Sequence, residues 1–379
     1  MLLKKIQLIS FRNFEKITLD VEENINIFLG KNGEGKTSLL EAIAMLSMPK
    51  SFRTSNINDM IRFSSDYFRV IGIFNDDDGE EKKLEIAYQS GPRKQRSLKI
   101  NNVKKSTKEF LSGVYIATFV PEDLYLLDLG PTKRREYINR VLSKLDFMYL
   151  DNLSRYERAM KERNAVLRRI NEGLAGRDEL EAWDRQLIDS GVKIIKKRLE
   201  LLFEMSGGIS KKYTEIAAKN DSVYTAYVSK IHEILGENHI LKYPFETTDL
   251  EELFRSALEK RVDRDIATKV TSVGPHRDDI YFYLKDKSME QFASRGEKRT
   301  LLLALKVTEL EIVKTYTLRC PLLLLDDVFS ELDNDRQTQL LHLVEPYQTF
   351  ITTNSEEHFS NFKKAKDVWR FAKGTANKA

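Results

Sequence analysis

Apolar and polar positions alternate along residues 2–8 and again along 17–21, and a short apolar run, Ile25, Ile27, Phe28 and Leu29, follows. The first two patterns predict half-buried strands, and the third predicts a fully buried one. Leu39, Leu40, Ile43, Ala44 and Leu46 then recur at helical spacing, so a helix comes fourth. Strand-like segments return at residues 68–74, 83–89 and 97–100, the last ahead of an Asn101-Asn102 turn, and together they predict an antiparallel β-lobe.

From about residue 150 to 202 the spacing is helical, carried by Leu153, Tyr156 and Met160 and then by Trp183, Leu187, Gly191, Ile194 and Ile195. Gly173 and Gly176 interrupt it, which predicts a helical hairpin with arms on the order of 20–25 residues, ~30–38 Å each. Residues 210–270 are expected to continue as helices with polar linkers, such as Tyr243-Pro244, packed back on the hairpin. A turn, Gly274-Pro275-His276-Arg277-Asp278-Asp279, precedes an alternating strand from Ile280 to Leu284. Beyond it come a helix with Leu301, Leu302, Leu305, Val307 and Leu310, a strand of four leucines ending in Asp326-Asp327, a further helix, and a last strand at residues 349–353. From about Lys373 a loose tail is expected.

The 379 residues suffice for two or three domains with a substantial core. Lys and Arg number 62 against 58 Asp and Glu, a net charge of only +4, so any nucleic-acid surface must arise from local clustering. Cys320 is the sole cysteine, which excludes an intramolecular disulfide and a Cys-rich zinc site. No apolar run approaches the ~18 residues of a membrane span and the N-terminus lacks a signal-peptide core, so a cytoplasmic location with no membrane partner is expected.

Chemistry concentrates between the buried strand and the first helix, where Gly30-Lys31-Asn32-Gly33-Glu34-Gly35-Lys36-Thr37 fits the P-loop pattern. The glycines let backbone N–H groups converge on a phosphate, the helix N-terminus adds its dipole, Lys36 can reach the β- and γ-phosphates, and Thr37 can ligate Mg²⁺. Asp326 and Asp327 end a leucine strand, and they are either helix-capping residues or, paired with the P-loop, a Mg²⁺ ligand and a group that orients the attacking water. Asp326 lies 290 positions beyond Lys36, so a nucleotide-binding domain formed by residues 1–148 and 271–379 must be split by an insertion at 149–270. Residues 93–108 hold Arg93, Lys94, Arg96, Lys99, Lys104, Lys105 and Lys108 and no acid, which suits either a nucleic-acid backbone or an edge hairpin whose lysines prevent edge pairing. Arg12, in the turn Ser10-Phe11-Arg12-Asn13-Phe14, is on spacing alone either a phosphate contact or a surface residue.

With these residues assembled, the chain resembles the ATP-binding-cassette ATPases of DNA maintenance, an SMC-like class, and within it the RecF family. The resemblance rests on Phe11-Arg12-Asn13, residues 30–43, Ser51-Phe52-Arg53, Pro121-Glu122-Asp123-Leu124, Arg163-Asn164, residues 274–279, and Leu324 through Asp333. It implies an α/β ATPase head, with a P-loop, a mixed sheet and an antiparallel β-lobe, split by a helical lobe. It also implies a weak DNA-stimulated ATPase using ATP and Mg²⁺, an ATP-dependent homodimer on double-stranded DNA at gaps or junctions, and RecR and RecO as partners. Under it Arg12, Asn32, Gly33, Gly35, Lys36, Thr37 and Ser38 contact nucleotide, Ser294 and Gly296 form a signature reaching the γ-phosphate on the other subunit, and Ser330 and Asp333 cross the interface. One chain carries one P-loop and one signature, so head-to-tail pairing completes each pocket. Glu34 and Glu297 stand where the family often has Gln, each adding negative charge near an anion. The last strand ends in Thr352-Thr353-Asn354, not in the histidine of many transporter ATPases. His276 is a substitute sensor or a structural turn residue. A transporter subunit and a long-armed chromosome organiser are the competing classes. The missing histidine and long insertion oppose the first, and the short hairpin without a C-x-x-C tip opposes the second.

Overall fold

Strands that read as unbroken apolar runs are buried on both faces, which is the environment of a parallel sheet. In the computed structural model, Ile25–Leu29, Ile116–Phe119, Leu322–Asp326 and Thr349–Thr353 are buried at every residue and lie in one sheet. Its order is Thr375–Lys378, Lys366–Ala372, Ile25–Leu29, Thr349–Thr353, Leu322–Asp326, Ile116–Phe119, parallel throughout except for the first pair. The structure describes all residues except 77–78, 112–113, 218–220, 237–239, 242–246, 358–365, 373 and 379.

The chain forms two compact units, Met1–Leu124 with Leu305–Ala379, and Tyr125–Ala304. The first holds the parallel sheet and a six-stranded antiparallel sheet ordered Phe14–Asp20, Leu2–Phe11, Tyr67–Asn75, Glu81–Gln89, Gln95–Ile100, Val103–Lys104. Alternation explains the second sheet, because the inward residues of Leu2–Phe11, among them Leu3, Ile6, Leu8 and Phe11, are buried. These pack with Leu39, Leu40 and Ile43 of the helix Lys36–Met45 and with Phe28 and Phe350 of the parallel sheet in one core. Gln348 stitches the sheets together: its amide accepts from Leu3 N–H at 2.7 Å and donates to the Leu3 and Glu22 carbonyls, each at 2.7 Å.

In the second unit the hairpin pairs Phe147–Asn171 with Glu181–Ala217, of 25 and 37 residues. The second arm is longer than its spacing suggested, because Met205, Ile209, Tyr213 and Ile216 carry the buried stripe across Gly207 and Gly208. Residues 210–270 are also not wholly helical. Val223–Val228 is a strand paired antiparallel with Asp279–Leu284, and its β-rich VYTAYV composition was the overlooked signal. The linker at Tyr243-Pro244 lies outside the described residues. The expected loose tail is likewise replaced by the strands Lys366–Ala372 and Thr375–Lys378, joined by a turn at Gly374, whose φ is 76°. Burial of Trp369 and Phe371 in the first unit's core holds them there.

Several polar side chains are structural anchors of the second unit. Arg134, in the basic start of the helix Pro131–Leu145, forms a two-pronged pair with Asp279 at 2.9 and 2.7 Å. Arg163 is fully buried, donating to Asp184 at 2.6 Å and Asp265 at 2.7 Å, while Asn164 Oδ1 accepts from Thr271 N–H at 2.8 Å. His276 is held from both sides: its Nδ1 accepts from the Tyr156 hydroxyl at 2.6 Å and its Nε2 donates to the Thr271 carbonyl at 3.0 Å. Burial lowers its pKa to about 4, so it is a neutral turn residue.

Candidate functional site: a phosphate-binding cavity

Each strand of a parallel sheet sends its carboxyl end to the same edge, and the loops there converge. The strand Thr349–Thr353 lies between Ile25–Leu29 and Leu322–Asp326, so the P-loop and the aspartates meet across one intervening strand. A cavity of about 680 Å³ opens at this edge within the first unit. Arg12, Asn32, Gly33, Gly35, Lys36, Thr37, Ser38, Asp326 and Asp327 all line it.

The loop's shape depends on two glycines. Gly33 and Gly35 have φ of 86° and 104°, where a side chain is strained. At Gly35 a Cβ would also come within 2.5 Å of the Asn13 amide and 2.7 Å of the Phe14 ring, so the turn after Leu2–Phe11 packs directly on the loop. Lys36 Nζ donates to the carbonyls of Gly30 at 2.6 Å and Lys31 at 2.9 Å. Burial pushes its ammonium below the ordinary lysine range, opposed by the charges of Asp327, Asp326 and Glu34. Glu34 therefore contributes to the field at the loop.

Thr37 Oγ1 donates to Asp326 Oδ1 at 2.9 Å, and Thr352 Oγ1 donates to the same oxygen at 2.7 Å. Burial raises the Asp326 pKa, while the Thr352 and Thr37 hydrogen bonds favour its ionised form. Thr352 in turn accepts the Asp327 N–H at 2.8 Å, which helps hold Asp327 at a left-handed φ of 50°. A hydroxyl and a carboxylate at a phosphate cradle are hard oxygen donors, a set that fits Mg²⁺ with phosphate and water completing its octahedron. Among the described residues there is no group of three or more His, Cys, Asp or Glu able to hold a metal alone.

Glu41 and Thr352 were not singled out as site residues. Fully buried Glu41 receives Arg12 through two hydrogen bonds, Nε at 2.8 Å and Nη2 at 2.6 Å, accepts the Ser51 hydroxyl, and lies 3.6 Å from Arg53. The signal was a carboxylate on the apolar face LLEAIAM, since a buried charge needs partners.

The remaining candidates lie elsewhere. Ser294 and Gly296 belong to the second unit, at the start of the helix Arg295–Thr317. The Ser330 hydroxyl donates to the Asp327 carbonyl at 2.7 Å. Asp333 caps the helix Asn334–Val344 by accepting Arg336 N–H at 3.0 Å, so this carboxylate is the one used for capping. In the basic run Gln95–Ile100 and Val103–Lys104 form the edge of the antiparallel sheet. Arg93, Lys94, Arg96 and Lys104 are exposed there, whereas Lys99 and Lys105 pair with Glu85 and Glu109 at 3.4 and 3.0 Å. Among the described residues no helix is long and apolar enough to cross a membrane.

A family model described as the RecF/RecN/SMC N terminal domain matches residues 2–377. The chain is 34% identical over 366 residues to the DNA replication and repair protein RecF of Ruminiclostridium cellulolyticum, covering 96% of each chain. It is 37% identical over 360 residues to that of Caldanaerobacter subterraneus subsp. tengcongensis, covering 94% of this chain and 95% of the relative. A solved structure described as the recombination mediator protein RecF-ATPrS in the RecFOR pathway superposes with a TM-score of 0.90 at 34% identity, covering 99% of this chain and 97% of the other. An SMC head bound to the C-winged helix domain of ScpA shares the fold, with a TM-score of 0.56 at 16% identity, covering 100% and 97%.

Proposed function

The chain belongs to the RecF family of SMC-like ATPases, and from that membership we propose that it is a cytoplasmic ATP-dependent DNA-binding protein of recombinational repair and replication restart. ATP binding drives head-to-tail pairing of two copies on double-stranded DNA at gaps or junctions, and slow, DNA-stimulated hydrolysis lets them part. RecR and RecO are its partners, a reading supported by the RecFOR pathway of the matched structure. Residues 1–148 and 271–379 act as the ATPase head, and 149–270 as the helical lobe.

The observation that carries this reading is the 2.9 Å hydrogen bond from Thr37 to Asp326 in the cavity that also holds Lys36. In a phosphoryl-transfer site these are the residues that hold Mg²⁺ and the β- and γ-phosphates. The metal, when bound, neutralises charge on the phosphates. Lys36 turns its ammonium from the Gly30 and Lys31 carbonyls to phosphate, Arg12 contacts the nucleotide, and Asp327 orients the attacking water. Asp327 is one methylene shorter than a glutamate base, which suits a timer better than a motor. Ser294 and Gly296 of a second copy close on the γ-phosphate, with Ser330 and Asp333 at the junction.

Titration calorimetry of Lys36→Ala with Mg-ATP tests the reading. ATP binding is expected to be lost while the thermal transition is retained. Undiminished binding in a folded variant would show that the cavity is not the nucleotide site.

A further inference from the structure

Strand alternation divides the basic run at residues 93–108 between the two faces of the antiparallel sheet. Residues directly opposite in a strand pair share a face. Arg96 lies opposite Tyr88 and so belongs to the core side, whereas Lys99 lies opposite Glu85, and Lys104 opposite Lys99, on the outer side. The same register carries cations of the other strands to that outer face: Lys5 lies opposite Ile73, Ile73 opposite Lys83, and Ile9 opposite both Lys16 and Arg69. Each of the six strands thereby contributes one cation to it. The alternate positions Leu8, Ile17, Val70, Ile86 and Leu98 are buried in the core.

The outer face also carries Asp20, Glu81 and Glu85, so it holds six cations against three carboxylates in a chain whose net charge is +4. Asp20 pairs with Lys5 at 2.9 Å. Glu85 is only 5% exposed although it lies on the solvent side, because Arg69 and Lys99 cover it at 3.7 and 3.4 Å. One carboxylate beneath two cations fixes both and leaves a positive charge over. Among the described residues no carboxylate pairs with Lys16, Lys83 or Lys104, and Lys83 Nζ donates to Asn102 Oδ1 at 3.0 Å. Lysines on an edge strand deter edge pairing, which accounts for Lys16 and Lys104. Lys5, Arg69 and Lys83 stand on the internal strands Leu2–Phe11, Tyr67–Asn75 and Glu81–Gln89 and guard no edge.

We propose that this outer sheet face is the seat of the phosphate backbone of duplex DNA. The proposal rests on the DNA-binding reading and adds the surface that meets the DNA. Strands lie ~4.8 Å apart, so the cations extend ~24 Å from Lys16 to Lys104, a length of about seven base pairs. Among the described outward residues the sole aromatic is Tyr67, at one end of its strand, so the face offers no row of rings on which unpaired bases would stack. Ile9, Ile71 and Ile73 lie buried or half-buried between the cations, which leaves no apolar anchor for a lipid surface. Contact through phosphates positions the duplex and reads no sequence.

Titration of the full chain with Mg-ATP and a fluorescent duplex across a salt series tests this. The combined variant Lys16→Gln, Arg69→Gln, Lys83→Gln is expected to bind about tenfold or more weakly and to lose ~0.9 from the slope of log K against log salt for each cation removed. Should it not fold, Lys16→Gln alone, at an exposed side chain, carries the same test with a reduction of ~0.9. Arg185→Gln, Lys193→Gln, Lys196→Gln makes the same charge change at exposed positions of the helix Glu181–Ala217 and is expected to bind as wild type does. An unchanged slope in the sheet variants overturns the proposal, and so do equal losses in both combined variants, which mark an effect of net charge. Loss of binding to phosphatidylserine vesicles with duplex binding intact would assign the face to a lipid surface and overturn it as well. If the wild type binds no duplex at all, the DNA reading itself fails, an outcome distinct from these.

Discussion

Ser294 and Glu297 close on each other at the start of the helix Arg295–Thr317. The Glu297 carboxylate accepts both the Ser294 backbone N–H and its hydroxyl at 2.8 Å, while Glu297 N–H donates to Ser294 Oγ at 3.3 Å. This is a reciprocal capping box. It explains a glutamate in a segment read as an anion site: the carboxylate points at the serine, and the hydroxyl that would meet a γ-phosphate is already donating.

Replacing Glu297 with Gln keeps an acceptor for the cap and removes the charge. Glu297→Gln is therefore expected to lower the ATP concentration at half-maximal pairing several-fold, with the melting temperature changed by no more than a few degrees. Sedimentation across an ATP titration measures this, and a midpoint equal to or above that of wild type contradicts it.

Glu41 is a positioning residue for Arg12. Removing its buried carboxylate leaves Arg12 and the Ser51 hydroxyl without their acceptor, so Glu41→Ala is expected to cost about 3 kcal/mol in urea unfolding. In a double-mutant cycle Arg12→Ala should add little to it, since the two side chains act as one unit. Fully additive losses would show that the pair is not coupled.

In the second unit two buried groups titrate in opposition. His276 has a folded pKa of about 4 against 6.5, so the unfolded chain binds its proton first and stability is lost as pH falls from 6.5 through 4. Asp278, raised by burial to about 6 against 3.8, keeps its proton in the fold, and its contribution is present at low pH and lost as pH rises through 6. Asp278→Asn removes that counterweight. Its urea midpoint should fall more between pH 6.5 and 4.5 than that of wild type, and equal falls would refute the opposition.

The exposed basic edge is tested by salt. Reversing Arg93, Lys94 and Lys104 to Glu should weaken duplex binding and reduce the slope of log K against log salt by ~0.9 for each phosphate that is no longer neutralised. An unchanged slope would leave these side chains as guards of a sheet edge.

Much of this architecture was legible because local pattern and tertiary role coincide. The leucines before Asp326 could be read as a parallel strand since all of them are buried, and the P-loop glycines carry their own conformational signature. Val223–Val228 was missed despite its β-rich composition, because its partner Asp279–Leu284 lies about 55 residues further on. The terminal strands were missed for a similar reason: Lys366–Ala372 is held by Ile25–Leu29 from the opposite end of the chain. For His276 the sequence allowed a sensor or a structural turn residue, and its hydrogen bonds with Tyr156 and Thr271 make it the latter.

Under the proposed function, ATP in this cavity brings two chains together on DNA. Multi-angle light scattering of Asp327→Asn, which keeps the Thr37–Asp326 pair but removes the carboxylate proposed to orient water, tests this. With Mg-ATP and duplex DNA a persistent complex of two chains is expected, and one chain when ATP is omitted. A single chain per duplex at saturating ATP, or pairing that is the same without ATP, would contradict it.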